Sequence, residues 1–309
     1  MHRRRFLVTA FILISGLTLG GCGLMINSTD HPDTSQQKEE ASSSPYMPVQ
    51  DYIGQGYSFN NGEEEDAFAK THKNEIVEQV DRFFKEKYQL EVTTHHLVGA
   101  KNAVVAFVES KGEPHFHTSV IVPVDLENQQ VTGDVWAYEG EVEGAIMAGL
   151  YVMAYEEEFK RLDQFVQSIT VKHPVIGKRQ NAVNNTGSGY VTSNYYVSTM
   201  DINFPEAYKA YMSNQHISKE NLRQLIEQQS FDPNGVLISL TFFMKEKHAA
   251  PDKKIADSVI EQFKSIKGIA PGNYGVFINS NDILKRTGTA KSEEGTTPAI
   301  DDIIIRPEK

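Results

Sequence analysis

The run HFHTSVIVPV, residues 115–124, alternates between two kinds of side chain. A period of two predicts a β-strand with one face on a core. The set expected to face the core comprises Phe116, Thr118, Val120, Val122 and Val124. The opposite face carries His115 and His117, and we expect both imidazoles to face solvent.

The flanking segments extend this strand into a fold that mixes helices and strands. Residues 90–98 and 102–110 are predicted strands, and apolar residues recur at helical spacing over 76–88. A long helix is predicted from about Val142 to Ile169. Because strands and helices do not alternate regularly, the sequence favours the α+β class, with mixed or antiparallel sheets and packed helices.

The second half of the chain has the same mixed character. Residues 177–189 are polar and rich in Asn and Gly, which predicts a linker or an exposed loop. Strands are expected at 190–200, 236–244 and 274–279, and helices at 204–213, at 219–229 and from Pro251. The run Ile303-Ile304-Ile305 suits an additional edge strand.

These patterns divide the 309 residues into five segments. They are a signal peptide (1–21), a disordered tether (22–47), an α+β domain or subdomain (48–170), a second α+β subdomain (171–282) and a polar tail (283–309). A chain of this length is long enough for one large domain or two smaller ones, and the sequence leaves both arrangements open.

Charge and cysteine content exclude several classes of function. The formal net charge is −11, which disfavours nucleic acid as a partner. The chain contains one cysteine, so an intrachain disulfide is impossible. An exported protein without disulfides must be stabilised by its core.

The N-terminus has the pattern of a lipoprotein signal. Three arginines at 3–5 precede an apolar run over 6–19, which is too short for a permanent membrane span. The run ends in the lipobox-like sequence Leu19-Gly20-Gly21-Cys22. Small residues fit the cleft of a signal peptidase, and the Cys22 thiol can be alkylated with diacylglycerol. The sequence therefore predicts lipidation at Cys22 and attachment to the outer face of the cell membrane.

The route of export stays open between the general secretory pathway and the twin-arginine pathway. Arg3-Arg4-Arg5-Phe6-Leu7 is similar to a twin-arginine motif, but many signal peptides carry a positive start. After cleavage, about 25 polar residues would give the tether a reach of roughly 25–30 Å.

Beyond the tether, the sequence PVQDYIGQGY at 48–57 is followed by AFAK at 67–70 and HK at 72–73. With Cys22 ahead of it, this stretch resembles the start of the mature domain in an uncharacterised family of lipoproteins from low-GC Gram-positive bacteria. The specific match extends over about residues 48–100. The resemblance implies the cellular address and the architecture, and it supplies no catalytic residue.

Motifs for known catalytic chemistry are absent from the sequence. It has no Gly-x-Ser-x-Gly elbow, no phosphate-binding loop and no His-Glu-x-x-His. His115 and His117 could chelate a metal ion, with a third ligand from His95 or His96 if those strands are neighbours. No acid follows them at a matched spacing, so the sequence predicts no metal site, no cofactor and no catalytic residue.

Two functions remain from the sequence. The first is a non-enzymatic binding module at the cell surface, with a cell-wall component, a peptide or a protein as partner. The alternative is an exported hydrolase or metal-dependent enzyme in which the histidines act. A cleft that joins His115 and His117 to a carboxylate would favour the alternative.

Overall fold

Eight helices and thirteen strands are present in the computed structural model, which describes residues 44–200, 203–229, 232–291 and 299–305. The helices are α1 (Glu63–Thr71), α2 (Lys73–Tyr88), α3 (Glu141–Ala154), α4 (Glu156–Lys172), α5 (Gln180–Thr186), α6 (Pro205–Ser213), α7 (Lys219–Glu227) and α8 (Lys253–Ser265). The predicted signal peptide 1–21, with Leu19, Gly20, Gly21 and Cys22, and the predicted tether up to residue 43 lie outside the described residues.

The strands form three sheets. They are β1 (Tyr46–Pro48), β2 (Val92–Ala100), β3 (Ala103–Ser110), β4 (His117–Asp125), β5 (Gln130–Val131), β6 (Val175–Ile176), β7 (Tyr190–Val191), β8 (Tyr195–Thr199), β9 (Val236–Met244), β10 (Gly272–Asn279), β11 (Asp282–Leu284), β12 (Thr289–Ala290) and β13 (Ala299–Ile305). Strands β2-β3-β4-β5 make a four-stranded antiparallel sheet, and β1-β11-β12 make a small one. The six-stranded sheet has the order β13-β10-β9-β8-β7, with β6 also paired to β9.

The six-stranded sheet is mixed because β9 and β10 run parallel. A parallel pair needs a crossover connection, and α8 lies in that connection and packs against β10. The other pairs in this sheet are antiparallel. The predicted α+β class with mixed and antiparallel sheets is therefore confirmed.

Helix α3 lies between the two large sheets and contacts β4 on one side and β8 on the other. It is apolar on almost every side and most of its residues are buried. This central position explains why one hydrophobic cluster draws on both predicted subdomains, 48–170 and 171–282. The two predicted subdomains share one core, and the described residues from 44 onward belong to one compact unit.

Alternation identifies the inward faces of the long strands correctly. Phe116, directly before β4, and Val120 and Val122 within β4 are fully buried, as the sequence predicts. The predicted strand over 236–244 has the same bounds as β9, and its even-numbered residues pack in the core. The period of two in the sequence therefore predicts the inward faces of both strands without information on tertiary contacts.

Two predicted elements are divided in the structure. The long helix expected over 142–169 breaks at Tyr155, where the backbone leaves helical geometry between α3 and α4. The two halves bury different shares of their surface, since α3 is enclosed whereas α4 buries one stripe. The strand expected over 190–200 is a hairpin of β7 and β8.

The predicted tether and tail also contain regular structure. Strand β1 pairs with β11 in antiparallel register, so order begins before the predicted boundary at residue 47. The predicted polar tail, 283–309, contributes β12 and β13, and β13 forms the edge of the six-stranded sheet beside β10. The edge strand expected from Ile303-Ile304-Ile305 is confirmed. Within the described ranges, every helix falls short of the length and apolar character required to cross a bilayer.

A candidate metal-binding site

Helix α5 forms within the segment that the sequence predicts to be a linker. It has only seven residues, so it depends on tertiary packing for its stability. Ala182 is buried in a small apolar cluster with Tyr52 and Phe243. The Asn185 side chain donates a hydrogen bond of 2.6 Å to the Ile53 carbonyl oxygen. These contacts anchor α5, which also packs against β2 and β3.

The presence of α5 overturns the prediction that His115 and His117 both face solvent. His117 does lie on the face opposite Phe116, but that face is covered and His117 is 0% exposed. Its main chain is bridged to Gly189, just beyond α5, by two hydrogen bonds of 2.8 Å. The His115 side chain remains 35% exposed. Strand alternation correctly predicts the face of the strand on which His117 lies. The sequence did not predict that α5 covers this face and buries His117.

Glu109 supplies the carboxylate that the sequence analysis did not find. It is the direct antiparallel neighbour of His117 across β3 and β4, so both side chains share one face. One carboxylate oxygen, Oε1, lies 3.8 Å from His115 Nε2. The other, Oε2, accepts a hydrogen bond of 2.7 Å from His95 Nε2. A register shift between Thr94 and His96 interrupts the pairing of β2 with β3 at His95.

Together, Glu109, His115 and His117 offer three potential metal-ligand atoms within 4.8 Å of one another. In a tetrahedral zinc site with ligand bonds near 2.0–2.1 Å, neighbouring ligand atoms are about 3.3 Å apart. Two imidazoles and one carboxylate are a ligand set used by catalytic zinc and non-haem iron.

The His117 imidazole is suited to a metal ion by its protonation state. Burial, together with the neighbouring His115, lowers the pKa of His117 to about 4. The ring is therefore neutral at physiological pH, as a metal ligand must be. Its Nε2 donates to Asn184 Oδ1 at 3.3 Å, whereas Nδ1 is buried with no hydrogen-bond partner among the described residues. In this tautomer the lone pair of Nδ1 accepts no hydrogen bond from the described residues.

Asn184 on α5 connects the members of this cluster. Its amide nitrogen donates to Glu109 Oε2 at 3.2 Å, and its oxygen accepts from both His117 and Gln180. The oxygen therefore faces the donors and the nitrogen faces the carboxylate, which defines the orientation of the amide. Such outer contacts orient metal ligands in known sites.

A cavity of about 660 Å³ opens next to the cluster. Glu109 and His115 line it, together with Glu113, Asp163 and Tyr190. The His115 ring packs edge-on against Tyr190, with centroids 5.7 Å apart. The cavity falls in the size range of small-molecule sites. Two of the three ligand residues thus line the cavity, and the third, His117, is buried outside its lining.

Two glycines allow the backbone to approach closely at this site. A Cβ at Gly149 on α3 would lie 2.5 Å from the His115 carbonyl oxygen, so only glycine lets the helix pack there. Gly189 has a φ of +84°, and a Cβ would meet the Val197 carbonyl oxygen at 2.6 Å. Both positions therefore help to set the backbone around His115 and His117.

Of the residues singled out in the sequence, the structure brings His115, His117 and His95 together and directs His96 elsewhere. The His96 Nδ1 donates to the Asn185 carbonyl oxygen at 3.1 Å. Glu109 could have been found by searching across strands, since a hairpin between the predicted strands 102–110 and 115–124 pairs it with His117. Asn184 carried no such signal, because its segment was predicted to be a linker.

Comparison with known proteins gives a family and a fold. Solved structures similar to this chain include a DUF1672 family protein from Staphylococcus aureus subsp. aureus Mu50. It is 20% identical, with a TM-score of 0.71, and the match covers 85% of this chain and 99% of that one. A DUF5037 family protein from Ruminococcus gnavus ATCC 29149 is 13% identical over 73% of this chain and 90% of its own, with a TM-score of 0.31.

A search of curated proteins gives no match. The family model described as "Protein of unknown function (DUF1672)" matches residues 39–306, which is most of the chain. This range includes every residue of the cluster at Glu109. The resemblance seen over residues 48–100 therefore extends to the whole folded part, and the chain belongs to the DUF1672 family.

Proposed function

We propose that this protein is a lipid-anchored lipoprotein of the cell surface whose folded part binds a divalent transition-metal ion. Glu109, His115 and His117 are the proposed ligands. The observation that carries the metal proposal is their convergence, with ligand atoms within 4.8 Å of one another and one imidazole nitrogen buried without a partner. A buried polar atom without a partner is unfavourable, and a metal ion would satisfy it.

The chemistry of the three side chains supports a transition metal over calcium or magnesium. Imidazole nitrogen suits zinc, copper, nickel and iron, whereas calcium and magnesium prefer oxygen ligands throughout. His95 and Asn184 both contact Glu109 Oε2 and would orient this ligand from outside. A site with ligands and orienting partners already in place loses little conformational entropy on binding.

Support for the lipid anchor comes from the N-terminal sequence. Charge, apolar length and the small residues before Cys22 agree with one another. An anchored domain with a metal site would act at the outer face of the membrane as a binding module. A cell-wall component, a peptide or a protein is the expected partner class.

Calorimetric titration of the full-length chain with zinc tests the metal proposal. We expect one zinc ion per chain with a submicromolar Kd. His117→Ala should weaken binding at least 100-fold, since the two remaining ligands, both partly open to solvent, hold zinc poorly. His216→Ala is the matched control, because His216 is an exposed histidine outside the cluster.

Absence of stoichiometric zinc binding would refute the metal proposal. An equal loss of zinc affinity in His117→Ala and His216→Ala would refute the assignment of the ligands. Circular dichroism of each variant shows whether the fold is retained. Where His117→Ala fails to fold, Glu109→Gln serves instead, since it keeps the size of the side chain and removes its charge.

The anchor is tested independently in bacterial cells. Cys22→Ala should abolish incorporation of labelled fatty acid and leave the protein unprocessed or released. Incorporation of label into the variant would show that Cys22 is not the lipidation site.

A metal-dependent exported enzyme is the second candidate, and the cavity favours it. Catalytic metal sites combine three protein ligands with a position open to water or substrate. The cavity beside Glu109 and His115 provides room for such a position. Hydrolysis by the zinc-loaded protein, lost in Glu109→Gln, would distinguish this candidate from the binding module.

A further inference from the structure

We infer that a metal ion held by Glu109, His115 and His117 keeps one coordination position open toward the cavity, and that this position takes the carboxylate of an amphipathic, singly charged ligand. The inference rests on the proposed metal site and specifies what that site would bind.

The burial of the three ligands defines where the open position lies. The side chain of Glu109 is 23% exposed and that of His115 is 35% exposed, and both line the cavity. His117 is fully buried and is not among the residues that line the cavity. An ion bound by all three therefore has protein on the His117 side and the cavity on the other. A fourth ligand can reach it only from the cavity side.

The net charge of the bound ion and its three ligands favours a singly charged fourth ligand. A divalent ion with one carboxylate and two neutral imidazoles carries a net charge of +1, which one carboxylate balances. Lys160 and Lys219 also line the cavity, but both already contact Glu156, at 3.4 and 2.8 Å. Lys111 lines the cavity as well, and the three lysines equal in number the acids Glu113, Glu156 and Asp163, so the wall adds no net charge. A doubly charged phosphate would leave one uncompensated negative charge at the ion.

The rest of the cavity wall suits an apolar or aromatic body. Phe159 and Tyr190 are adjacent there, with ring centroids 6.3 Å apart. Val152 and Met153 on α3 complete the apolar side. At about 660 Å³, the cavity has room for a ring or a short peptide C-terminus in addition to the carboxylate. The predicted ligand class is therefore an apolar acid or a C-terminal peptide.

Cobalt(II) provides a direct readout of the open position. Its visible absorption depends on coordination number and geometry, so a ligand that enters the inner sphere changes the spectrum. The full-length chain is loaded with cobalt and titrated with phenylacetate, acetate or inorganic phosphate. We expect phenylacetate to change the spectrum with a Kd about tenfold lower than that of acetate, because its ring is buried in the cavity. Phosphate should bind more weakly than phenylacetate.

A cavity-filling variant separates ligand binding from metal binding. Met153→Trp places bulk against the cavity without touching Glu109, His115 or His117. We expect it to weaken phenylacetate binding at least tenfold and to change the Kd for cobalt by less than about twofold. Met153→Leu is the matched control and should behave like the native chain. It also keeps the test valid if the tryptophan variant does not fold.

The outcomes are distinguishable. Failure to bind cobalt would refute the proposed metal site itself. Cobalt binding with a spectrum that no anion changes would leave the metal site standing and overturn the open position. A stronger response to phosphate than to phenylacetate would overturn the ligand class, as would phenylacetate binding that Met153→Trp does not weaken.

Discussion

The four-stranded and six-stranded sheets each place one face on the shared core, but their outer faces differ. On the four-stranded sheet, α5 covers the outer face near His117, which is 0% exposed. On the six-stranded sheet, Tyr196 and Leu237 on the outer face remain 43% and 48% exposed. The end of that face at Phe243 is closed by a small apolar cluster with Tyr52 and Ile283.

This difference shows how a polar site can form on a sheet. A bare outer face carries scattered side chains in contact with water, and an apolar cover extends the core. The short helix α5 combines both kinds of contact, because Ala182 packs in that apolar cluster and Asn184 contacts the buried His117. Burial by a polar cover brings titratable groups together and keeps them hydrogen-bonded.

The largest effect expected from this comparison is on stability. Phe116→Ala removes a fully buried ring from the inner face of the four-stranded sheet and should destabilise the protein by about 3–5 kcal/mol. Leu237→Ala, on the open outer face, should change the free energy of unfolding by less than about 0.5 kcal/mol. Urea unfolding of both variants measures this. Comparable losses of stability in Phe116→Ala and Leu237→Ala would show that the outer face of the six-stranded sheet is covered in solution.

Zinc should stabilise the native chain by binding at the covered outer face of the four-stranded sheet, and substitutions on the open face of the six-stranded sheet should not alter this effect. At a free zinc concentration 100 times the Kd, binding to the folded state adds about 2.7 kcal/mol to the free energy of unfolding. His117→Ala should lose this increment, and Leu237→Ala should retain it. Urea unfolding with and without zinc checks the prediction, and equal stabilisation of all three proteins would contradict it.

Asn184→Ala tests the contribution of the polar helix to the site. Because Asn184 contacts both Glu109 and His117, its loss should weaken zinc binding by about 10–100-fold without removing a ligand. Asn221→Ala on α7 is the matched control, since Asn221 is exposed. Calorimetry gives the two affinities. Unchanged zinc affinity in Asn184→Ala would mean that α5 only excludes water.

The smallest effect is expected on the bare face. Tyr196→Thr keeps strand propensity and removes a ring that is 43% exposed, so the free energy of unfolding should change by less than about 0.5 kcal/mol. Zinc affinity should be unchanged. A measurable change in zinc affinity would mean that the outer faces of the two sheets are coupled, and the comparison would have to be revised.

Part of the candidate site could be predicted from the sequence. His115 and His117 share a face because they are two residues apart on an extended chain, and this holds without tertiary contacts. Glu109 needed one further step, the antiparallel register of β3 and β4, which a short hairpin makes available. His95 needed the register shift between Thr94 and His96, for which the sequence has no signal.

The sequence by itself determined the class of fold, the inward faces of β4 and β9 and the lipobox-like sequence at Cys22. Each of these depends on residues that are close along the chain. Only the tertiary structure decided that α3 joins both sheets in one core and that α5 covers His117. Asn184 lies 67 residues from His117 in sequence. Contacts between residues so far apart in sequence depend on how the whole core packs. Local periodicity therefore does not predict them.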